Sequence, residues 1–387
     1  MLIRKATIYT AIAPEPFVGD VRVLNGKIIA VGPNIEAPGE PVVEAEGMNL
    51  YPGFVEAHGH IGLDGYGVGY EGKDYNEMND PVMPQLRAID GIEPRDPALL
   101  QAAQGGVTTL CTGPGSANVL GGTFAAIKTQ GILVDEMLVK ADVAMKCAFG
   151  ENPKRCYRDK GISTRMTTAA KLREMLLRAK DYHRRMEEGH DPAFDIKLEA
   201  MLPVLTGEMP LKAHAHQLND LFTAIRIAKE FDVKLTLEHC TEGHLAPEAL
   251  AKAGYPLAVG PSLTHASKFE LRNKTFATPG ILAAAGGHVS IITDSPVIPQ
   301  QYLPLCAGLA VQSGMQPFDA LRAITICPAE HIGVADRVGS IEVGKDADLV
   351  LCRGNVMDVE SEIRCVLIDG AAVPGLALRP RGGEKTC

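Results

Sequence analysis

Tryptophan is missing from this 387-residue sequence, and aromatic residues make up only 5% of it. A chain with so few rings offers no platform on which single-stranded bases could stack. Positive charge is not in excess either. The formal net charge is −9, which repels phosphate backbones and anionic membrane surfaces. The basic pair Arg184 and Arg185 is followed at once by Glu187 and Glu188 and reads as a solvated helix face. No run of about 18 apolar residues occurs, so no membrane span is expected. The N-terminal MLIRKATIYTA alternates like a strand and lacks the hydrophobic block of a signal peptide. The nine cysteines, at 111, 147, 156, 240, 306, 327, 352, 365 and 387, form no CxxC pair. Their odd count suits reduced, mostly buried thiols acting as small core residues. Together these absences point to a cytoplasmic protein with no nucleic-acid or membrane partner. Internal repeats and low-complexity tracts are lacking too.

What is present is an ordinary globular balance, 46% hydrophobic and 22% charged, with 40 glycines and 26 prolines. The length suggests a barrel-sized domain plus something smaller. Residues 1–50 read as short strands and turns, with Asn25-Gly26 marking a hairpin. From Pro52 to about residue 338, apolar strand-like runs alternate with helical stretches such as Pro97–Gln104, Thr167–Arg185 and Leu218–Phe231. That alternation signals a parallel sheet covered by helices, and the span fits a closed eight-stranded (β/α)8 barrel. Seven strands are placed: Phe54–His58, Val107–Cys111, Val143–Phe149, Leu211–His214, Val233–His239, Leu257–Gly260 and Val289–Thr293. The eighth is not legible within 115–142, where GPGSANVLGGTFAAIKTQG reads as a glycine-rich excursion. It is no phosphate loop, because a GK[ST] ending is lacking. After residue 338 strand texture returns over Val338–Val343, Ala347–Cys352 and Cys365–Asp369. The two strand-rich ends are expected to combine into one small sandwich, followed by a loose polar tail.

Chemistry concentrates at strand ends. In YPGFVEAHGH, His58 and His60 stand at i and i+2, a spacing that turns both to one face of a strand. Imidazole nitrogen is a preferred zinc ligand, so two on one rigid edge make half a site. LKAHAHQ repeats the pattern with His214 and His216. LTLEHC closes a strand with His239, and VSIITDSP closes another with Asp294. Any one of these is ordinary: buried histidines are often hydrogen-bonded core residues, and a strand-ending aspartate often caps a helix. Four strand ends delivering ligand-type residues to the same barrel face are hard to assign to chance, because that face is where barrels build catalysis.

Those motifs, with the Gly106-Val-Thr-Thr strand and the closing ITICPAEHIGVADRVGSIEVGKDADLVL, resemble the amidohydrolase superfamily over nearly the whole chain. Within it the chain is similar to the imidazolonepropionase-related branch. The resemblance implies a distorted (β/α)8 TIM barrel over 52–338 and a β-sandwich built from 1–51 and 339–380, with 381–387 as the tail. It implies a homo-oligomer and a divalent metal, zinc first, with iron or manganese as alternatives and one or two ions per chain. His58, His60, His214, His239 and Asp294 would bind metal. His239 would alternatively polarise the substrate carbonyl, and Asp294 would take the proton from water. The chemistry agrees: a metal ion lowers the pKa of bound water toward neutrality and supplies hydroxide, and a nearby carboxylate can pass the proton to a leaving nitrogen.

The match loosens in three places. Binuclear relatives carry a carboxylated lysine or a glutamate as a bridge, and both Lys146 and Glu151 are candidates here, with Glu151 slightly preferred as a metal ligand. His216 stands where imidazolonepropionases carry an acidic residue, so it and His265 are assigned to substrate. Asn152 and Arg155, beside Lys154, follow Glu151 on one loop and suit a substrate carboxylate. The loop Gly62–Asp80 suits a lid or a substrate-contacting segment. His244 is read as a supporting or surface residue, and His183, His190, His288 and His331 receive no role. The leading function is hydrolysis of a C–N bond in a small amide, cyclic amides included. A metallo-dipeptidase or carboxypeptidase, a ring deaminase, and a catalytically silent scaffold are the competing readings.

Overall fold

The computed structural model describes residues 1–67 and 69–376. The tail 381–387, and residues 377–380 of the expected sandwich segment, lie outside the described residues. Two sheets of eight strands organise the chain. The first collects both ends: β1 (Leu2–Ile8), β2 (Phe17–Leu24), β3 (Lys27–Gly32), β4 (Val42–Glu44) and β5 (Asn49–Pro52) from the N-terminal side. The second runs through the middle as β6 (Phe54–Gly59), β7 (Val107–Thr112), β8 (Leu120–Lys128), β9 (Leu138–Ala148), β10 (Leu211–Ala215), β11 (Leu235–His239), β12 (Leu257–Val259) and β13 (Val289–Ile291). The C-terminal side returns β14 (Leu349–Arg353), β15 (Glu362–Ile368) and β16 (Ala371–Ala372) to the first sheet.

The first sheet has the order β16-β15-β14-β5-β1-β2-β3, with β4 paired to β1. It is hydrogen-bonded as one continuous sheet joining the two ends. Alternation along β14 explains its two faces. Leu349 and Leu351 join Ile3, Val21 and Ile28 in the sheet's own core, while Val350 and Cys352 pack toward the barrel with Tyr51 and Phe54. Val338–Val343, expected as a strand, is irregular instead.

The central sheet is a nearly closed, distorted barrel whose strands follow chain order from β6 to β13. The segment read as a glycine-rich excursion contains its missing strand, β8, which runs antiparallel to both β7 and β9. This is the distortion. A helical crossover is needed only between parallel strands, so the chain here turns back directly and the βα rhythm is lost. All nine residues of β8 are buried. Gly122 is required: a Cβ there would stand 2.2 Å from the Leu86 carbonyl oxygen, and its φ of +109° suits only glycine. The barrel closes between β6 and the end of β13, where Glu56 Oε2 accepts the Thr293 backbone N–H at 2.9 Å and the His60 N–H donates to Ser295 O at 2.7 Å.

At the end of β8, Lys128 is buried among three carboxylates. Its Nζ lies 2.7 Å from Asp348, 3.0 Å from Asp346 and 3.2 Å from Asp369. This cluster ties the barrel to the terminal sheet. Seven of the eight described cysteines are buried. Among the described residues, no helix is long and apolar enough to cross a membrane.

Candidate metal centre

The ends of β6, β10, β11 and β13 converge at one mouth of the barrel. His60 lies just past β6, and the Gly113 carbonyl oxygen accepts from its Nδ1 at 2.8 Å. A carbonyl can only accept, so the proton sits on Nδ1 and Nε2 is left as a lone-pair donor. That Nε2 lies 3.2 Å from Asp294 Oδ1, and His58 Nε2 lies 3.9 Å from the same oxygen. His58, His60 and Asp294 thus place three ligand atoms within 4.8 Å of one another.

His214, His216 and His239 form a second such group. His214 and His216 leave β10 on one face, as their spacing requires. His239 needs a backbone device. It directly follows Glu238, and neighbours on a strand point to opposite sides. A φ of +76° at His239 and +44° at Cys240 breaks the strand and swings the imidazole into the mouth. Asp294 uses the same device, with φ +53°. Each ring is pinned through Nδ1: His214 to Ser116 Oγ at 2.7 Å, His216 to Thr241 Oγ1 at 2.8 Å, and His239 to Gly260 O at 2.8 Å. The Nε2 atoms of His214 and His239 are buried with no hydrogen-bond partner among the described residues. Buried polar atoms are rarely left so. Imidazoles held by one nitrogen with the other free are what a metal ion requires, so the residues fit one. The two groups are contiguous, with the His58 and His239 ring centroids 5.0 Å apart.

Beneath the imidazoles lies a layer of buried charge. Glu238 Oε2 accepts from Lys212 at 2.9 Å and pairs with His58 Nδ1 at 3.0 Å, while Oε1 pairs with His331 Nε2 at 2.9 Å. Burial alone would raise the Glu238 pKa, but Lys212 and His331 hold it well below the usual carboxylate range. Lys146 reaches the same layer from β9, with Nζ 3.1 Å from His58 Nε2. Burial pushes its pKa down to about 8. Burial likewise lowers the pKa of His58, His214 and His216, and that of His239 to about 4, which keeps the rings neutral as ligands. Asp294 behaves oppositely. Burial would raise its pKa, but His239 and His60 hold the carboxyl low.

The preference for Glu151 over Lys146 is reversed by position. Glu151 opens the short helix Glu151–Cys156 and belongs to neither group of ligand atoms; its backbone N–H donates to Glu270 Oε2 at 3.0 Å. Gly150 makes that approach close, since a Cβ there would stand 2.6 Å from the same oxygen. A cavity of about 200 Å³ opens over the two groups, lined by Asn152, Arg155, Lys268, Tyr75 and Asn76 among others. Asn152 and Arg155 are therefore where a substrate contact requires. Arg155 is exposed, and Lys268 is engaged with Glu270 at 2.6 Å. His216, assigned to substrate, sits in the imidazole group itself. His265 is exposed and does not line the cavity. His244 bonds Thr278 Oγ1 at 3.0 Å, a structural contact. Tyr75 and Asn76 bring the 62–80 loop to the cavity wall, where Asn76 Oδ1 accepts the Ala117 N–H at 3.1 Å. Val68 of that loop lies outside the described residues.

Sequence reasoning missed Glu238, Lys212 and Ser116. Lys212 had a legible signal: it precedes His214 by two residues and so lies on the same face, one layer deeper.

The chain is thus a distorted barrel with two histidine groups at its mouth and a sheet built from both chain ends. The model of the amidohydrolase family matches residues 49–373, and the chain belongs to that family. A solved amidohydrolase structure from Thermotoga maritima is 43% identical, with a TM-score of 0.93 over 96% of this chain and 99% of that one. The amidohydrolase tasK of Hapsidospora irregularis is 30% identical over 92% of this chain, which spans only 40% of that relative's length. An imidazolonepropionase of Symbiobacterium thermophilum is 26% identical over 86% of this chain and 83% of its own.

Proposed function

We propose that this protein is a metal-dependent hydrolase that cleaves a C–N bond in a small amide carrying a carboxylate, with cyclic amides the first class to try. The observation that carries the reading is the pair of imidazole groups, whose buried Nε2 atoms on His214 and His239 have no partner among the described residues. His58, His60 and Asp294 would hold one divalent ion, zinc first, and His214, His216 and His239 a second, with Lys146 as the bridge. A divalent ion so held lowers the pKa of a coordinated water toward neutrality and polarises a carbonyl.

The chain's own residues do the rest. Asp294 Oδ accepts the proton of the attacking water and returns it to the leaving nitrogen. Its low pKa keeps it in the accepting form. Burial keeps His216 and His239 neutral, which leaves their Nε2 lone pairs free to hold the second ion. Arg155 and Asn152 at the cavity wall take the substrate carboxylate, where a planar guanidinium matches it in a bidentate manner. The 200 Å³ cavity limits the substrate to a small molecule. The imidazolonepropionase name of one relative supports a cyclic amide. A dipeptide or acyl-amino acid is the second reading, supported by the buried Lys146 Nζ 3.1 Å from His58 Nε2, since binuclear relatives carry a bridging lysine or glutamate.

Asp294→Asn tests the assignment. Turnover on a panel of cyclic amides and acyl-amino acids is expected to fall at least about a hundredfold with the fold retained. An unchanged rate removes Asp294 as the base. No turnover by the unmodified enzyme on any member favours the silent scaffold.

A further inference from the structure

The described residues hold a third group of metal-ligating side chains, separate from the two at the mouth. His288, Cys327 and Glu330 place one ligand atom each within 4.8 Å of one another. His288 immediately precedes β13, whereas Asp294 follows it, so the group lies at the opposite, N-terminal end of the barrel. Cys327 and Glu330 stand three apart on the helix Ile326–His331 and share a face. Cys327 is buried, His288 is half-buried and Glu330 is exposed, which opens the group to solvent. His288 Nε2 lies 2.7 Å from Glu330 Oε2. Its Nδ1 is buried with no hydrogen-bond partner among the described residues, which a simple surface His–Glu pair does not explain.

We propose that His288, Cys327 and Glu330 form a separate divalent-metal site of the zinc type on the barrel floor. One nitrogen, one sulfur and one oxygen make a borderline donor set, which suits zinc, cobalt(II) or cadmium and not magnesium or calcium. Three protein ligands leave the fourth tetrahedral position to water. As the sulfur–metal bond forms, the Cys327 thiol proton leaves to solvent, so one proton is released for each ion bound. The site also has a reason to matter. The same helix carries His331, which holds Glu238 at 2.9 Å, which in turn holds His58 at 3.0 Å. An ion on the floor fixes the helix that supports the mouth.

Neither mouth group contains a cysteine, so a thiolate signal distinguishes the two ends. The enzyme is loaded with zinc at the mouth and then titrated with cobalt(II), and the near-ultraviolet sulfur-to-cobalt charge-transfer band is followed. About one equivalent is expected to produce the band. Cys327→Ser should abolish it while the mouth keeps its zinc. His288→Gln, at a half-exposed position that keeps the fold, should weaken cobalt binding at least about tenfold, since loss of a ligand costs no less than loss of a residue that supports one. No band in the unmodified enzyme, or a band that survives Cys327→Ser, overturns the proposal.

Discussion

Lys146 Nζ lies 3.1 Å from His58 Nε2, and both side chains are fully buried. An ammonium there has no carboxylate within hydrogen-bond reach among the described residues; its pKa is driven down to about 8 by burial. The neutral amine can add to carbon dioxide, forming an N–C bond and releasing a proton, and the resulting carbamate is an anionic oxygen donor beside both ligand groups. Reconstitution of metal-free enzyme is expected to speed up with added bicarbonate, more so as pH rises through about 8. Lys146→Ala should lose that dependence and at least about a hundredfold in activity. Bicarbonate-independent reconstitution rules the bridge out.

The same shift has a stability consequence in metal-free protein. The folded state gives up the Lys146 proton near pH 8, whereas the unfolded state keeps it until near 10.5. Between those values the unfolded chain binds more protons, so stability rises with pH across that window. Lys146→Met should raise Tm at pH 7 and lose its advantage by pH 10.5. Parallel Tm curves for the two proteins contradict the burial of a charged amine.

Glu238 is expected to position His58 and to neutralise Lys212. Glu238→Gln leaves the Lys212 ammonium buried and uncompensated, which costs on the order of 3–5 kcal/mol. It should also weaken metal binding about 10–100-fold by freeing the His58 ring. Pairing it with Lys212→Met should recover much of the stability in urea unfolding and little of the metal affinity. Recovery of both together contradicts separate roles.

The fold and site were unequally legible. Strand ends at His58, His214, His239 and Asp294 stood out because a barrel displays ligands at one rim and the i, i+2 spacing survives in sequence. β8 did not, since an antiparallel strand inside a parallel barrel has no following helix to announce it, and Gly121-Gly122 reads as a turn. Lys146 was undervalued for a similar reason. It lies one layer below the rim, and only the length of its side chain brings it level with His58. Glu151 looked better placed because it follows the strand, but it belongs to neither group of ligand atoms, and its backbone N–H is what meets Glu270.

Arg155 is the specificity test. Arg155→Met should raise KM about tenfold or more for carboxylate-bearing substrates with kcat little changed, the pattern of lost uniform binding. A neutral amide of the same size should be unaffected. An unchanged KM for the acidic substrate removes Arg155 from recognition.

Lys128 tests the junction between barrel and terminal sheet. Lys128→Met leaves Asp348 buried without its cation, while Asp346 keeps Lys27 and Arg337. A loss on the order of 3–5 kcal/mol is expected in urea unfolding, with turnover per folded molecule retained. A neutral outcome would mean that Asp348 is satisfied by its hydrogen bonds from the Asp369 N–H and Thr109 alone.

Metal content per chain remains the most direct test of the mouth. It is measured by elemental analysis on Cys327→Ser protein purified without chelator, so that a floor ion cannot contribute. About two ions per chain is the expected result, falling to about one or fewer in Lys146→Ala. No bound metal, even after reconstitution with zinc and bicarbonate, would contradict the reading of His58, His60, His214, His216, His239 and Asp294 as a metal centre.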